Sequence, residues 1–263
     1  MGECMLAALS LDTTRERARI VEFVRAQLNA AGYSRLLLGV SGGIDSALAA
    51  ALCAEAAGAE NVLGLMMPYR TSNPASEADA RHVIAQLGIQ SDKCDISEMV
   101  DGLVRRYPDM TPARMGNVMA RMRMVALYDQ SVAFRGLVVG TSNRTETLLG
   151  YFTMHGDGAA AFKPLAHLYK CQIRQLSAAM GLPSDLIDKA PSADLWAGQT
   201  DEGELGFTYD EADQVIYLAT QQGMDALAIA EQGFDLAVVQ SILRRMRQSA
   251  FKRAWPPALD PVG

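Results

Sequence analysis

Apolar positions follow a helix, strand, helix order at the start of the chain. Between residues 14 and 31 apolar side chains recur at three- and four-residue spacing, and Gly32 follows as a helix stop. A short apolar run at 36–40 then leads into a glycine-rich turn and an alanine-rich segment at 45–57. The pattern predicts an amphipathic helix, a buried strand and a second helix.

The strand and helix order repeats in the next part of the chain. Asn73 and Pro74 suit the N-cap and first positions of one of these helices. The predicted elements are strand 62–66, helix 73–87, strand 93–96, helix 112–131 and strand 136–140. Alternating buried strands and helices predict an α/β fold with a doubly wound, mostly parallel sheet and helices on both faces.

The second half of the chain loses this regular alternation. Residues 156–161 are rich in glycine and alanine and predict a loop, and a second loop is predicted at 190–207. Loops of this kind often carry functional residues. Three further helices are predicted, at 209–222, 224–231 and 236–253.

Composition narrows the class of protein. With 263 residues, 49% of them hydrophobic, the chain can bury one sizeable core, and we predict a single domain over 1–263. A net charge of −6 argues against nucleic acid or an anionic membrane as a partner. The four cysteines fit neither a zinc site nor a disulfide scaffold, and no apolar segment is long enough to span a membrane, so we expect a cytoplasmic protein.

A glycine-rich turn joins the first predicted strand to the next helix. Such a turn presents backbone N–H groups and a helix N-terminus to an anionic phosphate. It lacks the lysine of the Walker A pattern and does not match the dinucleotide fingerprint. The alternative is that its serines only cap the helix. The candidate ATP-binding residues in the turn are Gly39, Val40, Ser41, Gly42, Gly43, Ile44, Asp45 and Ser46.

The string from Ser41 to Ser46 resembles the pyrophosphate loop of the N-type ATP pyrophosphatases, whose fold is Rossmann-like and of the adenine nucleotide alpha hydrolase-like kind. The resemblance implies that ATP is cleaved between its α- and β-phosphates. It also implies that the serines and the backbone hold pyrophosphate, while Asp45 helps to hold Mg²⁺.

Further motifs, over about residues 14–256, are similar to the NAD synthetase family. They are Gly140-Thr141-Ser142-Asn143-Arg144-Thr145-Glu146, Gly150-Tyr151-Phe152-Thr153, Gly156-Asp157-Gly158, Lys189-Ala190-Pro191-Ser192-Ala193-Asp194-Leu195, Asp201-Glu202 and Leu205-Gly206. The resemblance implies a homodimer that converts deamido-NAD to NAD with ATP and ammonia through an adenylated intermediate. Only 40 residues precede Ser41, too few for the glutaminase domain of some members, so we expect free ammonia or a separate ammonia-supplying partner.

The resemblance also implies roles on the ATP side of the site. Asp45 and Glu146 match metal-binding positions, and Mg²⁺ prefers carboxylate, phosphate and water oxygens. Lys170 matches a lysine that contacts ATP phosphates, and Thr141 and Ser192 match positions that touch ATP. The alternatives are a solvent-facing Glu146, an ordinary surface lysine, and hydroxyls that cap a helix or a turn.

On the side of the second substrate, the resemblance implies roles for four residues. Arg121 matches an arginine that faces deamido-NAD, and Asp157 matches an aspartate that orients ammonia or takes its extra proton. Phe251 and Lys252 belong to a basic element that closes over the substrate. The alternative for that element is a basic last helical turn favoured by the helix dipole.

Three positions depart from the best-known ammonia-dependent pattern. Met154 replaces a lysine, His155 replaces an aromatic residue, and Ala161 replaces a substrate-binding aspartate. These changes bear on how the dinucleotide is held.

Two other classes of function remain open. One is another adenylating amidotransferase or thiolase on the same fold, although a tRNA thiolase usually needs a reactive cysteine pair and a basic RNA-binding face. The other is a regulatory module that binds ATP without releasing pyrophosphate. The pair Asp45 and Glu146 argues against the regulatory module.

Overall fold

The structure is a computed structural model that describes residues 7–192, 194 and 198–259. Its centre is a four-stranded parallel sheet in the order β3-β2-β1-β4. Leu36 at the start of β1 pairs with Val62 on one side and with Leu137 on the other. The strands are β1 Leu36–Gly39, β2 Val62–Met66, β3 Gln90–Lys93 and β4 Leu137–Val138. The predicted α/β class and parallel sheet are confirmed.

The helices lie before, between and after these strands. The α-helices of the described residues are α1 Thr13–Ala31, α2 Ile44–Ala57, α3 Pro74–Leu87, α4 Ser97–Arg106, α5 Pro112–Phe134, α6 Arg144–Leu149, α7 Lys170–Ala179, α8 Ser184–Asp188, α9 Asp201–Leu205, α10 Tyr209–Gln221, α11 Ala226–Ala230 and α12 Leu236–Gln248. None of them is long and apolar enough to cross a membrane.

The sheet is covered on both faces, as the sequence predicts. Successive side chains of a strand point to opposite faces. Leu36 and Leu38 pack with the apolar sides of α1, α2 and α7, whereas Leu37 packs with Leu127 of α5. Burial on both faces explains why β1 is apolar throughout.

A second apolar core lies beyond the sheet and consists of helices. It joins α10 and α12 to α6, α9 and α11 through fully buried side chains such as Tyr209, Val215 and Ile242. Helix α7 belongs to both cores, because Ile173 packs with the sheet core and Cys171 with the helical one. The N-terminus of α7 therefore lies where the two cores meet.

Several element boundaries differ from the prediction. The third strand is Gln90–Lys93 and not 93–96, because its side chains are exposed and polar and give no apolar run. Helix α9 lies inside the predicted loop 190–207. The side chain of Thr200 caps this helix by accepting a hydrogen bond from the N–H of Gly203. The last helix ends at Gln248, and Ala250–Arg253 form a separate 3-10 turn.

Candidate active site

The turn between β1 and α2 is held by its own hydroxyl groups. Ser46 Oγ donates to the carbonyl of Gly43 at 2.9 Å and accepts from the N–H of Ser41 at 3.2 Å. Gly43, the N-cap of α2, has no side chain to cap the helix. The first N–H groups of α2 therefore lack a side-chain acceptor and are suited to an anion.

Gly42 is needed for the path of this turn. Its φ of +77° lies in the left-handed region that favours glycine. A Cβ atom at this position would lie 2.1 Å from the carbonyl oxygen of Ser76, at the start of α3. The close approach of two backbones thus accounts for at least one of the two glycines.

Behind the turn, Lys170 joins two carboxylates that are far apart in sequence. Its ammonium forms an ion pair with Asp45, and it lies 3.4 Å from Glu146 Oε1. Asn143 Nδ2 donates to Asp45 Oδ1 at 2.9 Å. Lys170 is only 3% exposed, so the structure excludes an ordinary surface lysine.

Local capping places Glu146 in this group. Asn143 Oδ1 accepts from the N–H of Glu146 at 2.9 Å, and the Glu146 carboxylate accepts from the N–H of Asn143 at 3.3 Å. This reciprocal pair is a capping box that begins α6. It fixes the Glu146 side chain at the N-terminus of α6, on the side of Asp45.

Burial and neighbouring charges perturb the protonation of this cluster. Burial, together with the charge of Asp45, raises the pKa of Glu146 to about 8, although Lys170 opposes the shift. Burial alone would lower the pKa of Lys170, but Asp45 and Glu146 outweigh that effect and raise it. Lys170 therefore stays charged at neutral pH.

The carboxylates of Asp45 and Glu146 fit a magnesium ion. Both lie within contact range of one cationic nitrogen, so their oxygens converge on a single point. Within the described ranges, no cluster of three or more His, Cys, Asp or Glu side chains could hold a metal. Two carboxylates without further protein ligands suit Mg²⁺, which takes its other ligands from phosphates and water.

A cleft of about 670 Å³ opens at the carboxyl ends of the parallel strands. Ligands bind at this position in open α/β sheets, and the volume is in the range of small-molecule sites. Arg123 of α5 also faces it and donates from Nε to the carbonyl of Met67 at 3.0 Å. The predicted site residues on its walls are Gly39, Val40, Ser41, Thr141, Asp157 and Lys252.

The loop that carries Asp157 is tied to the C-terminal 3-10 turn. Lys252 Nζ donates to the carbonyls of Gly150 and Phe152 at 2.8 and 2.9 Å and lies 5.2 Å from the centre of the Phe152 ring. Asp157 Oδ1 accepts from the N–H of Thr153 at 2.8 Å. Burial raises the pKa of Asp157.

Asp45, Glu146 and Lys170 lie beside the turn and not on the walls of the cleft. Outside the turn and this cluster, three more predicted residues do not line the cleft. Arg121 borders a separate hollow of about 230 Å³ and donates to the carbonyl of Met154 at 3.3 Å. Phe251 is 64% exposed and does not line the cleft. Ser192 Oγ donates to the carbonyl of Gln199 at 2.7 Å within its own loop. Two residues of the motif that contains Ser192, 193 and 195, lie outside the described residues.

Sequence reasoning assigned no role to Asn143, Arg123 or Asp213. Asn143 carries a readable signal, since Asn and Glu three residues apart predict a capping box. Arg123 looks like any charged residue on an amphipathic helix. Asp213 of α10 has no local signal, although one of its oxygens accepts from the N–H of Cys171 and the other from the hydroxyl of Thr145.

The fold and the cleft define an α/β protein of the adenine nucleotide alpha hydrolase-like class. A family model described as NAD synthase matches residues 16–256. The chain therefore belongs to the NAD synthase family.

Relatives cover nearly the whole chain. The NH(3)-dependent NAD(+) synthetase of Trichlorobacter lovleyi is 48% identical over 95% of this chain and 92% of its own length. The structure of the NH3-dependent NAD synthetase of Campylobacter jejuni has a TM-score of 0.82 at 31% identity, with 95% of this chain and 100% of that chain covered. An NMN synthetase of Francisella tularensis has a TM-score of 0.84 at 31% identity, with 96% and 99% covered.

Proposed function

We propose that this chain converts deamido-NAD to NAD with ATP and ammonia, and releases AMP and pyrophosphate. The observation that carries the proposal is the convergence of Asp45, Glu146 and Lys170 behind a phosphate-binding turn, in a chain similar over almost its full length to ammonia-dependent NAD synthetases. No other adenylating or thiolating enzyme class is needed to account for these features.

The chemistry explains why ATP is required. A carboxylate is a poor electrophile because it has no good leaving group. An oxygen of the deamido-NAD carboxylate attacks the α-phosphorus of ATP, and pyrophosphate departs. The nitrogen of ammonia then attacks the activated carbonyl carbon, the C–O bond to AMP breaks, and the nitrogen loses one proton. The protein contributes mainly by positioning the reactants and neutralising charge.

We assign the pyrophosphate end of ATP to residues 39–46. The N–H groups at the start of α2 and the hydroxyls of Ser41 and Ser46 would contact the phosphates. Thr141 lines the same cleft and would contact the nucleotide. Ser192 would contact ATP only if its hydroxyl left the carbonyl of Gln199, so it is the weakest member of this set.

Asp45 and Glu146 would hold Mg²⁺, and Lys170 would contact the phosphates. When bound, the metal shields the negative charge that grows on the departing pyrophosphate. Lys170 adds a flexible point charge suited to phosphate oxygens. Its ammonium already lies in contact with the two carboxylates, which keeps it charged.

Asp157 and Lys252 would serve the second substrate. Asp157 lines the cleft wall, and its raised pKa suits a group that takes a proton from attacking ammonia. Lys252 would hold the dinucleotide directly or through the loop that it ties. Arg121 and Phe251 would reach the dinucleotide only if it extends beyond the cleft of one chain.

A homodimer accounts for such an extension. Helix α5 exposes Val125, Tyr128 and Val132 along one side, and Val132 is 79% exposed. An apolar helix face of this kind suits a subunit interface. We propose that the dinucleotide lies beside this boundary and that each chain acts as one catalytic domain. The unpaired Cys53, Cys94 and Cys171 support a cytoplasmic location.

The test is a direct assay with ATP, Mg²⁺, deamido-NAD and an ammonium salt. We expect NAD and pyrophosphate in equal amounts, and no NAD would refute the proposal. Glutamine in place of ammonium should give almost no NAD. Nicotinate mononucleotide in place of deamido-NAD should react poorly; preferential use of it would instead place the chain with the Francisella tularensis NMN synthetase in substrate choice.

A further inference from the structure

At the N-terminus of α7, Gln172 Oε1 accepts from the N–H of Tyr169 at 3.0 Å, but neither of these side chains caps the N–H groups of Lys170 and Cys171. The N-cap residue is Tyr169, whose side chain accepts no capping hydrogen bond, and the helix begins at Lys170. The first N–H groups of a helix need acceptors when they are buried. Lys170 and Cys171 are both buried, so these acceptors must come from elsewhere in the fold.

Two other helices supply the acceptors. Thr145 Oγ1 of α6 accepts from the N–H of Lys170 at 3.1 Å, and Asp213 Oδ2 of α10 accepts from the N–H of Cys171 at 2.7 Å. The Thr145 hydroxyl in turn donates to Asp213 Oδ1. One fully buried carboxylate thus caps α7 and fixes the hydroxyl that completes the cap.

The same face of α10 also contacts the Lys170 side chain. Tyr209 lies four residues before Asp213, so the two share one side of the helix. The centre of its ring lies 5.1 Å from Lys170 Nζ, and its hydroxyl donates to Asp201 Oδ2 at 3.1 Å. Helix α10 therefore positions both the backbone and the ammonium of Lys170.

Burial of Asp213 is costly. Its side chain is fully buried, and burial raises its pKa, while the hydrogen bonds from Thr145 and Cys171 oppose that shift. Apolar packing alone would hold α10 against α7 without a buried carboxylate. The carboxylate adds fixed directions for the N–H of Cys171 and the hydroxyl of Thr145, and through that hydroxyl for the N–H of Lys170.

We propose that Asp213 is a positioning residue that acts through Thr145 and the N-terminus of α7 to hold Lys170 and Glu146 in register for the reaction. Thr145 directly precedes Glu146 in α6, and Cys171 directly follows Lys170 in α7. A shift of either backbone would move the ammonium relative to the carboxylate of Glu146. The inference rests on the proposed function for its catalytic readout.

The test compares Thr145→Val, which removes the hydroxyl at nearly constant shape, with Thr145→Ser, which keeps it. We expect Thr145→Val and Asp213→Asn each to lower kcat by at least about tenfold, because small misplacements of catalytic groups have effects of this size. The KM for deamido-NAD should change less than about twofold. Thr145→Ser should restore most of the lost kcat.

Three further measurements separate positioning from stability. Ile229→Ala empties a buried site in the same helical core and should lower the unfolding temperature without lowering kcat of the folded protein. The rise in unfolding temperature caused by Mg²⁺ with ATP should shrink in Thr145→Val and remain in Ile229→Ala. The double variant Thr145→Val with Asp213→Asn should have a kcat no lower than that of the more impaired single variant, since coupled residues are not additive.

The inference would be overturned if Thr145→Val had the wild-type kcat and the wild-type rise in unfolding temperature with Mg²⁺ and ATP. It would also be overturned if the kcat losses of the two single variants multiplied in the double variant. If Asp213→Asn fails to fold, the comparison of Thr145→Val with Thr145→Ser still decides. If the wild-type protein makes no NAD, the proposed function fails. The thermal response to Mg²⁺ with ATP then tests the positioning role by itself.

Discussion

The two sides of the proposed ATP site are built in different ways. The turn at residues 39–46 is one continuous segment whose serines and glycines hold it in place. The opposite side combines Glu146 on α6, Lys170 on α7 and Asp213 on α10, with no two of these neighbours in sequence. Function on the first side depends on local backbone geometry. On the second side it depends on how three helices pack.

This difference predicts different sensitivities to substitution. A turn that positions phosphate through backbone N–H groups tolerates side-chain changes but not a change of backbone path. A cluster assembled from separate helices loses function when a single side chain or its support is removed. The following experiments test this contrast, from the largest expected effect to the smallest.

Lys170→Met should have the largest effect. It keeps much of the buried chain length but removes the charge that lies between Asp45 and Glu146. We expect kcat to fall by about a thousandfold, the size of effect seen when a fixed charge-stabilising donor is lost. Arg174→Met, one turn further along α7, breaks an exposed pair with Asp210 and serves as the control. Similar activities in the two variants would contradict the assignment of Lys170.

Gly42→Ala should come next, with a loss of about a hundredfold in kcat as the turn is displaced. The added Cβ cannot fit, because it would lie 2.1 Å from the Ser76 carbonyl oxygen. Gly223→Ala is the matched control, since Gly223 also has a positive φ, of +67°, but has open space around its Cβ position. It should cost about 1 kcal/mol of stability and no activity. Full activity in Gly42→Ala would show that the backbone path of the turn is not needed.

The contrast between the two sides also explains what the sequence could reveal. The turn, the strands β1 and β2, and the caps at Gly32 and Asn73 are specified within a few residues, and these predictions are confirmed. Helix α7 was not predicted, and the acceptors of its first N–H groups, Thr145 and Asp213, are distant in sequence. The edge strand β3 was misplaced because it has no apolar side chain.

The site residues show the same division. The resemblance to a known family placed Glu146 and Lys170 in the site, but their meeting with Asp45 depends on packing between helices that no local pattern encodes. Arg123, on the cleft wall, could not be told from a solvated charge on a helix. Tertiary contacts of this kind become visible only in the fold.

Lys252→Met tests the loop that carries Asp157. It removes two hydrogen bonds, to the carbonyls of Gly150 and Phe152, and leaves most of the side-chain stem. We expect the KM for deamido-NAD to rise by about tenfold while the KM for ATP changes little. Arg247→Met, an exposed position on α12, is the control. An equal rise in both KM values would contradict the assignment of this loop to the second substrate.

Glu146→Gln should give the smallest of these effects. The effect is measured on the metal-free protein, as a change in how the free energy of unfolding depends on pH. The pKa of Glu146 is about 8 in the fold, against an ordinary value of 4.5, so between these pH values the folded protein holds a proton that the unfolded chain has lost. Glu146 therefore makes the free energy of unfolding fall as pH rises from about 4.5 to 8, by at most about 1.4 kcal/mol per pH unit.

Denaturant unfolding at several pH values, without metal, measures this slope. The Glu146→Gln variant, which cannot ionise, should show a flatter decline than the wild-type protein across the same range. Identical slopes would mean that Glu146 is ionised in the fold and that its burial costs less than the structure indicates.

The exchange of labelled pyrophosphate into ATP, measured without ammonia, most directly tests the claim that both sides form one adenylating site. Exchange requires reversible attack of the deamido-NAD carboxylate on ATP and retention of the adenylated product. The wild-type protein should catalyse exchange only when deamido-NAD and Mg²⁺ are both present, and Gly42→Ala and Lys170→Met should each nearly abolish it. Exchange without deamido-NAD, or undiminished exchange in either variant, would contradict the account.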